Sequence, residues 1–173
     1  MVAEENYVSY VSRFADTVLR IAVNYCKELS DAEDMVQDVF LKLYETKTDF
    51  ADDEHVKRWL IRVTVNTCKN HLASAWRRRM QLMESQKMES VLEQAAGGYL
   101  AETSVLYEDS ALFEAVTSLP EKYHSVVHLY YYEDYSVKEI AQILQKKETT
   151  IQSRLMRARR MLKQQLKGAW HDE

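Results

Sequence analysis

Only three Gly and one Pro interrupt 173 residues, and that scarcity limits the possible folds more than any other feature. Gly and Pro are the strongest local breakers of helices, and the Glu, Gln, Leu, Ala and Met that fill this chain favour them. No alternating apolar–polar run is long enough for a convincing strand. The expected class is all-α. Tyr7, Tyr10, Val11, Phe14, Val18, Ile21 and Tyr25 recur at helical spacing and trace one apolar face. The stretch "SDAEDMVQDVFLKLYE" then turns Ala32, Met35, Val36, Val39, Phe40 and Leu43 inward and Asp34, Gln37, Asp38 and Leu41 outward. Ser30 and Glu33 have the spacing of a capping box at its start. After the loop "TKTDFADDEH", a third pattern carries Val56, Trp59, Leu60, Val63 and Leu72.

The pattern lapses after Met80. Between Glu84 and Asp109 there are six acids (84, 89, 93, 102, 108, 109), one base (Lys87) and the pair Gly97-Gly98. An acidic segment of this kind favours a solvated, flexible linker over a packed element. Two small helical domains are expected, at 1–80 and 111–173, joined by a linker at 81–110, part of which can be helical. In the second domain, Ser118-Leu119-Pro120-Glu121 and Ser136-Val137-Lys138-Glu139 both read as capping boxes. The second opens a short helix with Ile140, Ala141, Ile143 and Leu144. A tight connection at Gln145-Lys146-Lys147 leads into another helix. Thr149 and Gln152 offer that helix a capping box, and its helicity can also begin near Lys147.

Short helix, tight turn and basic amphipathic helix form a helix-turn-helix, whose second helix enters a major groove. Charge supports this reading. The chain has a formal net charge of -4, yet Lys146 to Lys163 holds seven basic residues (146, 147, 154, 157, 159, 160, 163) against one acid, Glu148. A merely solvated face usually mixes its signs, because like charges weaken a helix. Ile151, Leu155, Ala158 and Leu162 form the buried stripe. Gln152, Ser153, Met156, Arg157 and Arg160 lie opposite, with Arg154 and Arg159 at the margins. Lys57 to Arg79 has the same bias, with seven bases (57, 58, 62, 69, 77, 78, 79) and no acid.

Other chemistries find little support. Cys26 and Cys68 are isolated within helical patterns and read as buried, reduced thiols. His124 and His128 are spaced for one helix face, but no third metal ligand has a local motif. No apolar run approaches a membrane span, and "MVAEENYVSY" lacks a basic region followed by an apolar core. A cytoplasmic protein without stable membrane insertion, metal or cofactor is expected.

Four strings, "DAEDMVQDVFLKLYE", "VKRWLIRVTVNTCKNHL", "SLPEKYHSVVHLYYYEDYSVKEIAQIL" and "TTIQSRLMRARRML", resemble in order and spacing the extracytoplasmic-function (ECF) sigma factors of bacterial RNA polymerase. The resemblance implies that domain 1–80 grips core polymerase and melts the minus-ten element. Domain 111–173 then reads the minus-thirty-five element as duplex DNA. It also implies an anti-sigma factor as partner, and no catalytic residue, because polymerase performs the chemistry. By the same resemblance Asp34, Gln37, Asp38 and Leu41 meet polymerase. Asn66 meets a flipped minus-ten base, with Phe50, Ala51 and Asp52 supplying the pocket loop. Trp59 either stacks near the melted junction or packs in the core with its apolar neighbours, and Arg62, Asn70, Arg77, Arg78 and Arg79 lie along the DNA.

On the duplex, Gln152, Ser153, Met156 and Arg157 match groove-facing positions, Lys146, Arg154 and Arg159 match backbone contacts, and Thr150 belongs to the same DNA-binding surface. The sequence departs from the family at three places. Gln145 and Lys146 replace a common Gly and apolar residue in the turn, Lys147 replaces a common Ser, and Asn70 stands where many relatives have Asp. A free-standing helix-turn-helix regulator is the competing class. Such proteins usually dimerise on a palindrome, and this chain shows no coiled-coil seam.

Overall fold

The computed structural model describes residues 2–26, 28–83 and 110–170. The expected linker lies outside the described residues from 84 to 109. Every regular element among the described residues is helical, as the scarcity of Gly and Pro requires. The chain divides into two compact units, Met1–Val105 and Leu106–Glu173. No described helix is long and apolar enough to cross a membrane.

In the first unit, α1 (Glu4–Cys26), α2 (Leu29–Glu45) and α3 (Asp53–Met83) pack against one another. Their apolar stripes meet at Phe14, Val18, Val39, Phe40, Leu43, Val56 and Leu60, with Tyr7, Tyr10, Val11, Val36 and Val63 at the margin. Burying a side chain such as Leu43 or Leu60, both essentially inaccessible, contributes about 1.5–3 kcal/mol. Cys26 and Cys68 are buried free thiols. The start of α2 departs from the expected capping box. Leu29 is already helical, Glu28 is the N-cap without a side-chain hydrogen bond, and the Ala32 N–H bonds to the Glu28 carbonyl. Ser30 therefore lies inside the first turn, where it cannot cap. The start of α3 is capped instead: the Asp52 carboxylate accepts from the His55 N–H at 2.7 Å. Arg13 on α1 donates to Asp53 at 2.5 Å, joining α1 to the first turn of α3.

The second unit contains α4 (Ser110–Ser118), α5 (Glu121–Val127), a π-helical turn (His128–Tyr132), α6 (Val137–Leu144) and α7 (Glu148–Trp170). Val116, Leu119, Tyr123, Val127 and Ala158 form a buried cluster. Ser118 does not cap α5. Its hydroxyl donates to the Ala115 carbonyl at 2.8 Å, closing α4. The N-cap of α5 is Pro120, whose carbonyl accepts from the Tyr123 and His124 N–H groups. The Ser136 box forms in both directions, with Glu139 N–H donating to Ser136 Oγ and Ser136 N–H donating to Glu139 Oε2.

His124 and His128 are both buried. His128 Nε2 lies 3.3 Å from Glu133 Oε1, so the pair belongs to the core of this unit. The turn between α6 and α7 is made by Gln145 in the left-handed region, at φ 55 and ψ 48. There the Lys146 N–H reaches the Ala141 carbonyl at 2.9 Å. Without Gly, this conformation costs about 1–2 kcal/mol. Helix α7 opens at Glu148, where the Lys147 carbonyl accepts from Thr150 and Ile151. Thr149 is thus within the first turn.

Candidate protein and nucleic-acid interfaces

On α2, Asp34, Gln37, Asp38 and Leu41 are all exposed. The inward spacing of Ala32, Met35, Val39 and Leu43 leaves these four on the solvent side. Leu41 is 53% exposed, and Tyr44 (41%) and Val8 (62%) are further exposed apolar side chains of this unit. An acidic row beside exposed apolar side chains suits a partner presenting both cations and apolar surface. Lys42, 4.0 Å from Asp38, also donates to Thr67 Oγ1 at 2.8 Å. That bond anchors α2 against α3 one residue from Asn66.

Along α3, Arg62, Asn66, Asn70 and Arg77 recur at helical spacing on one face. Arg62 is half-buried and the other three are exposed, as are Arg78 and Arg79. Trp59 stands on the same side, two turns before Asn66, a rise of about 10 Å. Its indole is half-buried and edge-on to the Phe50 ring at 5.7 Å. Phe50 also contacts Tyr10 and His55. The expected pocket loop is therefore built into the start of α3. Phe50 packs on the core margin, Ala51 donates its N–H to His55 Nδ1, and Asp52 caps the helix. Asn66 lies about 20 Å of helical rise beyond Asp53, so Ala51 and Asp52 do not close around it here. Trp76, unassigned by the sequence reading, is 63% exposed beside the Arg77–Arg79 run; its place before three arginines was the available signal.

In the second unit Gln152 and Met156 are exposed on α7, with Met156 at 55%. Lys146 is exposed, and Thr150 and Ser153 are half-buried. The two margins of α7 diverge. On one side, Arg154 and Arg157 join Lys122, Tyr123, Thr149, Thr150 and Ser153 around a cleft of about 350 Å³. The neighbouring Arg157 guanidinium, together with Lys122, holds the Tyr123 phenol below its ordinary pKa. On the other side, Arg159, expected on a backbone phosphate, lies against two tyrosines. Its Nε donates to the Tyr131 hydroxyl at 2.7 Å, and the guanidinium lies over the Tyr130 and Tyr131 rings at 5.5 and 5.8 Å. A phenol acceptor and two ring faces hold it beside an apolar cavity of about 400 Å³ that Leu112, Val116, Val127 and Leu162 also line. Tyr130 and Tyr131 lie 29 and 28 residues before Arg159, too far for helical periodicity to connect them.

These features coincide with known families. The sigma-70 region 2 family matches residues 10–78, and the sigma-70 region 4 family matches residues 110–162. The ECF RNA polymerase sigma-E factor of Escherichia coli (strain K12) is 32% identical over 160 residues, covering 86% of this chain and 80% of that protein. The chain belongs to the ECF family of RNA polymerase sigma factors. This sigma factor directs RNA polymerase to promoters. It is also 27% identical to the RNA polymerase sigma factor SigV of Bacillus subtilis (strain 168) over 147 residues, covering 85% of this chain and 82% of that one. Its fold resembles that of the sigma factor RpoE of Bartonella quintana, crystallised with the anti-sigma factor NepR. The TM-score is 0.62 at 20% identity, with coverage of 94% of this chain and 98% of that chain. A region 2 match across α1–α3 has no place in a free-standing helix-turn-helix regulator, and that class is not favoured.

Proposed function

We propose that the sigma factor divides its work between its units. The first docks on core RNA polymerase through Asp34, Gln37, Asp38 and Leu41. It engages the opened minus-ten strand along Trp59, Arg62, Asn66, Asn70 and Arg77–Arg79, with Phe50, Ala51 and Asp52 fixing the start of that path. The second reads the minus-thirty-five duplex with Gln152, Ser153, Met156 and Arg157 toward the bases, and with Lys146, Arg154 and Arg159 toward the backbone, Thr150 lying on the same surface. The observation that carries this reading is the contrast of surfaces within the first unit. One three-helix body presents an acidic, partly apolar row on α2 and, on α3, a basic stretch from Lys57 to Arg79 without an acid. Acidic and basic faces suit a cationic protein surface and nucleic acid respectively.

Polymerase supplies the chemistry, so the proposed role is non-catalytic. An anti-sigma factor is the proposed regulatory partner, supported by the NepR complex of the Bartonella relative, and the cytoplasm is the proposed location. Run-off transcription with purified core polymerase on genomic promoter fragments tests the assignment. Discrete transcripts that need this chain are expected; equal transcription with and without it would reject the assignment.

A further inference from the structure

Protein interiors hold few voids larger than a water molecule, yet the second unit carries a partly open cavity of about 400 Å³. That size lies within the range of small-molecule pockets, about 300–1,000 Å³. Helices α4, α5 and α7 and the π-helical turn build it together. Leu112 and Val116, one turn apart on α4, and Leu162 on α7 supply aliphatic walls. Both leucines also pack on the buried cluster of this unit, so the walls are anchored in the core. Tyr131 and Tyr132 of the π-helical turn add two more lining residues. The Tyr132 ring is held from behind by buried His128, with ring centroids 5.4 Å apart.

Arg159 is the one charged residue lining this cavity. Its Nε–H is committed to the Tyr131 hydroxyl, and the two tyrosine rings orient the guanidinium. Its electrostatic neighbours among the described residues are the phenols of Tyr130 and Tyr131, not a carboxylate. A fixed cation thus stands without a counter-charge at an otherwise apolar hollow. We propose that this cavity binds a medium-chain carboxylate, with its alkyl tail against Leu112, Val116 and Leu162 and its head on the Arg159 guanidinium. Charge complementarity selects the head, because the planar fork of an arginine matches two carboxylate oxygens. The walls select the tail, because a polar ligand would lose its hydration there without new hydrogen bonds. The binding does not rest on the DNA-reading role proposed above, although both draw on the same guanidinium.

Isothermal titration calorimetry of the full chain with decanoate tests the site. Decanoate should saturate at one per chain. Decanol, with the same tail and no charge, should bind about tenfold more weakly. Octanoate, two methylenes shorter, should also bind about tenfold more weakly. Arg159→Gln should take decanoate and decanol alike. Leu112→Trp, at a half-buried position, fills the cavity and should abolish uptake of both, with helix content retained by circular dichroism. The comparison of head groups in wild type and Arg159→Gln does not depend on that variant folding. Equal affinity for decanoate in wild type and Arg159→Gln, or uptake that never saturates, would overturn the proposal. Absence of uptake would overturn it too, and a dimer that Leu112→Trp dissociates would then give the cavity to a second copy of the chain.

Discussion

The two units present their proposed nucleic-acid surfaces by opposite means. In the first unit the backbone is regular, and α3 runs 31 residues, about 46 Å, with its polar face uninterrupted. In the second, regularity is broken repeatedly, by a π-helical turn at His128–Tyr132 and by Asp134 and Gln145, the only non-Gly residues with positive φ among the described residues. The cores differ in the same sense. The first unit buries the neutral polar side chains Thr17, Asn24, Thr64 and Thr67, whereas the second buries three ionisable ones, His124, His128 and Glu133, beside Ser125. A long, straight face suits contacts strung along an extended strand. Turns and buried polar pairs instead fix one helix at one angle, which is what major-groove reading requires.

The largest expected effect tests whether the acidic row belongs to a protein contact. Reversing the charges of Asp34 and Asp38 together should weaken core polymerase binding by about 2 kcal/mol or more, roughly 30-fold. Helix content should be retained, because both side chains face solvent. Unchanged affinity in a fluorescence titration would break the division between the α2 and α3 faces. Next in size is base reading in the second unit. Gln152→Ala should alter the preferred minus-thirty-five sequence, at about 1–3 kcal/mol for a lost bidentate contact. Arg154→Ala should weaken all sequences alike. Identical selected motifs for Gln152→Ala and wild type would remove Gln152 from the reading row.

A smaller effect locates the backbone strain. Gln145→Gly should stabilise the second unit by about 1 kcal/mol and leave the first unit's calorimetric transition in place. No shift would mean that the left-handed turn is not strained. The smallest concerns the exposed Arg13–Asp53 pair. Arg13 holds the Asp53 carboxyl below its usual range by hydrogen bonding. The pair's contribution is thus present above the ordinary carboxylate value and lost as pH falls through the lower folded value. Arg13→Ala should slightly lower the melting temperature at pH 6, with the difference shrinking below about pH 4. A constant difference down to pH 3 would assign the effect to another cause.

The same contrast explains what the sequence made legible. Apolar spacing located the inward faces of α1, α2 and α7, because a three- and four-residue repeat leaves few ways to bury them. The capping boxes were less uniform. Ser136 and Glu139 form theirs, while Ser30 and Ser118 have comparable spacing and do not. At those sites, neighbouring residues make Glu28 and Pro120 the N-caps, and a four-residue pattern cannot report where the preceding chain turns. Charge marked the basic helices but not the side to which each cation is held. Arg159, for one, bonds to Tyr131 through a contact spanning 28 residues. Asn66, Asn70, Gln152 and Met156 are exposed as expected, whereas the loop at Phe50–Asp52 is built into the cap and core margin of α3.

Permanganate footprinting of the minus-ten thymines by holoenzyme carrying Asn66→Ala tests the central division of labour most directly. A flipped base leaves its stack at a cost of a few kcal/mol, and the exposed Asn66 amide can offer a donor and an acceptor to its edge. The variant should bind core polymerase and protect the minus-thirty-five element as wild type does, yet leave the thymines of duplex promoters unreactive. A pre-opened bubble should restore much of the lost transcription. Wild-type reactivity on duplex DNA would contradict the account.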